Sequence, residues 1–62
     1  MLVIEYFPEA NIANFYYINS DCKKLCYEVS HCDAILNNGC VLISNIETGD
    51  IVFKGIAPIF YF

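Results

Sequence analysis

Two apolar, β-branched runs stand close together near the end of the chain: Cys40-Val41-Leu42-Ile43-Ser44-Asn45-Ile46 and Ile51-Val52-Phe53-Lys54. Between them lies Glu47-Thr48-Gly49-Asp50. Runs of this composition favour strands, and a short polar loop with a glycine free to take positive φ reverses the chain. The segment is therefore predicted to be a β-hairpin. Whatever else the chain does must be compatible with that sheet.

Upstream, Leu2-Val3-Ile4-Glu5-Tyr6-Phe7 reads as a strand ended by Pro8, with Leu2, Ile4 and Tyr6 on one face. Pro8 to Asn14 suits a short helical turn or a loop equally well. Phe15 to Asn19 and Lys24 to Val29 form a predicted hairpin around Asn19-Ser20-Asp21, residues whose side chains bond their own backbone in turns.

Ser30-His31-Cys32-Asp33 has the features of a helix start: Ser30 as the cap, Asp33 at the third helical position. Cys32, Ile35 and Leu36 make an i, i+3, i+4 stripe, and Asn37-Asn38-Gly39 supplies a stop. Ile56-Ala57-Pro58-Ile59-Phe60-Tyr61-Phe62 follows as an apolar arm, expected either to add an edge strand within the fold or to cross onto another protomer. The expected fold is α+β: about five strands in β-ββ-α-ββ order, an antiparallel sheet with one short helix on one face, in a single domain spanning residues 1–62. Residues 24–54 are similar in pattern to small phage and bacterial proteins that have a short capped helix followed by a Thr-Gly-Asp/Glu hairpin. That similarity is to no particular family and implies no activity.

Size and charge narrow the function. The chain has 62 residues and is 58% hydrophobic, more than so small a domain readily hides. A second copy covering part of that surface, giving a homo-oligomer and most simply a dimer, is the expectation. Three lysines, no arginine and a net charge of −4 argue against direct nucleic-acid binding. No apolar run approaches the ~18 residues of a membrane span, and the start lacks a basic segment followed by an apolar one. A soluble, cytoplasmic protein is expected, in the host cytoplasm if the chain is phage-encoded. Its four cysteines are then reduced thiols.

No catalytic group, cofactor or metal is assigned. His31 is the only histidine, and its sequence neighbour Cys32 would not face it on a helix. Cys22 and Cys26 have zinc-like spacing, but Cys32 and Cys40 form no second pair. A thiol-based enzyme ranks last. The ten aromatic residues are the best hint, since aromatics are enriched in interface cores. Tyr16 and Tyr17 point to opposite faces of a strand, and Ile59, Phe60, Tyr61 and Phe62 lie in the arm. These six are the candidate interface.

The leading expectation is a non-enzymatic module that occupies a larger protein and modulates it. The Arg-free composition, rich in Asn, Ile, Phe and Tyr, suggests an AT-rich genome and an anti-defence inhibitor such as an anti-CRISPR protein. A homo-oligomer that sequesters a nucleotide-like ligand is the alternative, and a structural subunit of a larger assembly is a third.

Overall fold

The computed structural model describes all residues, Met1–Phe62. It contains seven strands and no helix: β1 (Leu2–Phe7), β2 (Ile12–Ile18), β3 (Lys23–Val29), β4 (Cys32–Asn37), β5 (Cys40–Asn45), β6 (Ile51–Gly55) and β7 (Ile59–Tyr61). The expected α+β fold is therefore corrected to an all-β one. The strands form two sheets, ordered β3-β2-β1-β7 and β4-β5-β6.

The largest departure from expectation is β4, which occupies the predicted helix. The cause lies in Asn38-Gly39. Asn38 has φ +53° and Gly39 +79°, the two consecutive positive values of a two-residue hairpin turn. Asn37 then faces Cys40, and pairing continues without interruption to Cys32 opposite Asn45. A helix of two to three turns has little cooperative support, whereas β4 gains a full ladder with the adjoining strand. Cys32 is fully buried and Ala34, two residues on, is half-buried, whereas Ile35 and Leu36 are 50% and 52% exposed. The apparent helical stripe never meets a core.

Each predicted hairpin forms. In the first sheet, β1 pairs with β2 and β2 with β3, both antiparallel. Asn19 Oδ1 accepts the Asp21 and Cys22 backbone N–H groups at 3.1 and 3.0 Å, tightening the β2–β3 turn. In the second sheet, the β5–β6 reversal is held by Asn45, whose side-chain oxygen accepts from the Glu47 and Thr48 N–H groups. Gly49 has φ +77° there, as the turn required. Both sheets carry a bulge: Cys26 is the unpaired extra residue of β3, and Val52 that of β6.

Of the two expected placements of the apolar arm, it takes the one within the fold. Residues Ile59–Tyr61 form β7, which runs parallel to β1 with Ile4 opposite Ile59 and Tyr6 opposite Tyr61. The bonds Ile4 N–H to Pro58 O and Phe62 N–H to Tyr6 O, both 2.9 Å, secure its ends. The first sheet is thus mixed rather than purely antiparallel.

The core lies between the inner faces of the sheets. Ile4, Tyr6, Ala13 and Phe15 of the first sheet meet Cys32, Val41 and Ile43 of the second. Phe53 crosses from β6 to put its ring edge-on to Phe15 at 5.3 Å. The Tyr6 hydroxyl donates to the Cys32 carbonyl at 3.0 Å, and Cys32 N–H donates to Asn11 O at 3.0 Å. These bonds fasten the start of β4 to the first sheet.

A methyl group on Gly39 would meet nothing within 4 Å, so substitution there strains only the backbone. Gly39→Ala should cost about 1–2 kcal/mol from its left-handed conformation. Urea unfolding followed by circular dichroism would measure it. A loss near zero would argue against the two-residue turn, and with it against β4 as a strand.

Candidate functional site

The six residues proposed from sequence do not form one patch. Tyr16 lies on the outer face of the first sheet, beneath Lys23, whose ammonium sits 4.3 Å from the ring centroid. Lys23 also binds Glu5 at 2.7 Å. That bond is the main reason the lysine pKa is raised above its ordinary value. Tyr17, one residue on, is exposed and points the other way. Ile59 packs against the core. Phe60 and Tyr61 are exposed, although Tyr61 sets its ring edge-on to Tyr6 at 5.9 Å. Phe62 stacks on Phe7 at 5.2 Å.

The outer face of the first sheet is therefore partly dressed by its own chain, while Leu25, Phe60 and Phe62 stay about half exposed or more. Phe7 is covered by Phe62 and Tyr16 by Lys23. Val3, opposite Tyr16, is only 4% exposed although it points away from the core. One polar defect remains. Asn14 lies between Glu5 and Glu28 in cross-strand register, and its Oδ1 is buried with no hydrogen-bond partner.

The second sheet has no such dressing. Cross-strand register puts Ile35 beside Leu42, Leu42 beside Lys54, and Ser44 beside Ile51 on its outward face. Ile35, Asn37, Cys40, Leu42, Ile51 and Lys54 surround a shallow depression of about 450 Å³. Sequence reasoning missed this site because it assigned Ile35 to a buried helical stripe. Alternation from the Asn38-Gly39 turn would have found it: Asn37, Ile35 and Asp33 then share a face with Cys40, Leu42 and Ser44.

The reactive groups are dispersed. His31, expected at a helix start, joins β3 to β4 with φ +56°, and its Nε2 lies 3.1 Å from Glu47 Oε1 on the surface. No group of three or more His, Cys, Asp or Glu side chains stands close enough to share a metal ion. Cys22 and Cys26 are exposed, Cys40 is half-buried and Cys32 is buried, all as free thiols. Burial pushes the Cys32 thiol above its ordinary pKa. No helix is long and apolar enough to cross a membrane.

Compared with known proteins, the chain matches no family model, no curated protein and no solved structure.

Two outcomes follow from these side chains. Brief treatment with iodoacetamide at neutral pH should label Cys22 and Cys26 first and Cys32 only after unfolding, because burial there suppresses the reactive thiolate. Peptide mass mapping reads the order, and early labelling of Cys32 would contradict its placement. Asn14→Val should stabilise the fold by about 1 kcal/mol, by removing an unpaired buried oxygen and adding a β-branched side chain. A destabilised variant in chemical denaturation would show that the Asn14 amide is satisfied after all.

Proposed function

We propose that the chain is a non-enzymatic protein-interaction module that acts by occupying a protein partner through the outward face of its second sheet. One observation carries the reading: that face is apolar, concave and covered by nothing in the chain. The total accessible surface is 4208 Å², close to the roughly 4,100 Å² that mass scaling gives for a compact monomer of this size. The unusual property is thus the chemistry of the surface and not its extent. Ile35, Ile51 and Val52 are all more than two-fifths exposed on one small sheet. Apolar surface gathered in a patch, rather than scattered singly, marks an interaction site.

The depression is within the volume range of small-molecule sites. Only Asn37 and Lys54 among its lining residues offer full polar groups, and it is open to one side. A sequestered ligand would find little to fix its orientation, so a protein surface is the better occupant. The partner is a second copy or a larger target. The exposed rings of Phe60 and Tyr61 belong to the other sheet and are a separate, smaller surface.

Leu42→Glu combined with Ile51→Glu tests the reading, because both side chains point outward and the core is untouched. The native chain should be recovered as a stoichiometric complex, with itself or with another protein. The double variant should fold normally by circular dichroism and lose that complex. If native mass spectrometry finds native and variant chains alike alone, the outward face of the second sheet is not a docking surface.

A further inference from the structure

The sheets have four edge strands: β3 and β7 in the first, β4 and β6 in the second. A free edge invites another strand, and proteins blunt such edges with lysine, proline, bulges or short length. Three of the four are blunted. Strand β3 carries Lys23, Lys24 and the Cys26 bulge. Strand β6 carries Lys54 and the Val52 bulge. Strand β7 has three residues and follows Pro58. Strand β4 has none of these: it is six residues long, unbulged, and free of lysine and proline.

The hairpin geometry shows which backbone groups this edge offers. In a two-residue hairpin the residues flanking the turn form a hydrogen-bonded pair, and such pairs alternate along the ladder. Asn37, Ile35 and Asp33 therefore bond to β5, while Cys32, Ala34 and Leu36 aim their N–H and C=O groups away from it. Cys32 confirms the phase, since its N–H reaches Asn11 O in the turn between β1 and β2 and its carbonyl accepts from Tyr6 of β1. That end of the edge is closed. Ala34 N–H is held at 3.0 Å by the Asp33 side chain, an exposed local bond. The Ala34 carbonyl and both backbone groups of Leu36 remain open beside a half-exposed leucine.

We propose that this open half of β4 is a homodimerisation edge, at which two copies pair antiparallel about a twofold axis at Ile35. The proposal deepens the reading of the second sheet as an interaction surface and rests on it. The occupant is a second copy because the segment is complementary to itself in this register. Ala34 and the partner's Leu36 form a hydrogen-bonded pair, and symmetry supplies another. Ile35 meets the partner's Ile35 in the close, non-hydrogen-bonded position, on the same outward face as the depression. Asp33 falls opposite the partner's Asn37, so its carboxylate exchanges the Ala34 N–H for a side-chain amide. No like charges face one another. The paired stretch ends where the partner's Asn38-Gly39 turn leaves the sheet, which is also where Asn11 closes the edge at Cys32. The second sheets join into one, bringing the two apolar depressions side by side.

An interface of one short edge plus adjoining side chains falls below the roughly 1,200–2,000 Å² of stable complexes, so micromolar rather than nanomolar self-association is expected. Sedimentation equilibrium across about 1 μM to 1 mM brackets that range. The native chain should pass from its 7.1 kDa mass to twice that value. Ile35→Lys and Ile35→Glu should each weaken self-association at least tenfold, since each sets like charges together at the axis, with native circular dichroism retained. Mixing the two variants should restore a mass of two chains. Only pairing that brings the two copies of position 35 together predicts that rescue.

Leu36→Pro gives an independent measurement, because it removes an N–H that faces outward and leaves the β4–β5 ladder intact. It too should be monomeric and folded. The proposal is overturned if the native chain remains monomeric to the highest concentration. It is equally overturned if either charged variant still dimerises or the mixture does not associate. Native dimers that dissociate with Leu42→Glu and Ile51→Glu but not with the position-35 variants would sink the edge and leave the apolar face standing.

Discussion

The fold turns on the backbone of one residue, Cys32. It is fully buried, and its N–H and C=O both bond outside its own sheet, to Asn11 O and the Tyr6 hydroxyl. Its thiol lies 3.5 Å from Val29 O and 3.6 Å from Asn11 O. Burying a peptide unit at the end of a strand would ordinarily cost about 1–3 kcal/mol for each unpaired group. Here every group is paired, and each pairing joins one sheet to the other. The clasp aligns the second sheet over Ile4, Ala13 and Phe15, so that Val41 and Ile43 close the core. Because the clasp uses only the first outward position of β4, it also divides that edge into a sealed half and an open half.

Much of this was legible in the sequence, for reasons that differ by element. The β5–β6 hairpin and β1 could be read because composition, alternation and turn chemistry agree there. The β2–β3 hairpin was read correctly, with β2 beginning at Ile12 rather than Phe15. The segment from Ser30 to Gly39 was misread because its signals conflict. Cys32, Ile35 and Leu36 satisfy a helical period, while Cys32, Ala34 and Leu36 satisfy a strand period. Asn38-Gly39 serves as a helix stop or as a two-residue hairpin turn. The tie is broken by tertiary context: β5 needs a partner on each side, and β6 supplies only one. The partner of strand β7 was unreadable for another reason. That partner, β1, lies at the other end of the chain, and parallel pairing leaves no local turn signature.

Sequence reasoning expected an interaction surface and placed it among the aromatic residues. Composition implied apolar surface in excess of what the core absorbs; eight of 62 residues are buried, and large apolar side chains on both sheets are exposed. The aromatic residues drew attention to the first sheet. Aromatic rings are large enough to be covered by neighbours from the same chain, as Tyr16 is by Lys23 and Phe7 by Phe62. The aliphatic residues of the second sheet have no long neighbours to fold over them. Asn37 and Ser44 are too short, and Lys54 is the only extended polar side chain on β4, β5 or β6.

That contrast gives the two sheets different physical roles. The first sheet carries four strands, a bulged lysine-bearing edge, and an outer face with its own ion pair and ring stacking. Part of that face is covered by its own chain. The second sheet has three strands, a bare apolar face and an edge without a blocking residue. A chain of this length has little stability to spare, and exposed aliphatic side chains on a thin sheet contribute nothing to it until they are covered. Covering them adds stabilisation in proportion to the area removed from water, about 25 cal/mol per Å². The residues that make the second sheet the weaker half of the monomer are the same residues from which a partner would draw its binding energy, so the fold and the interface are read from one surface.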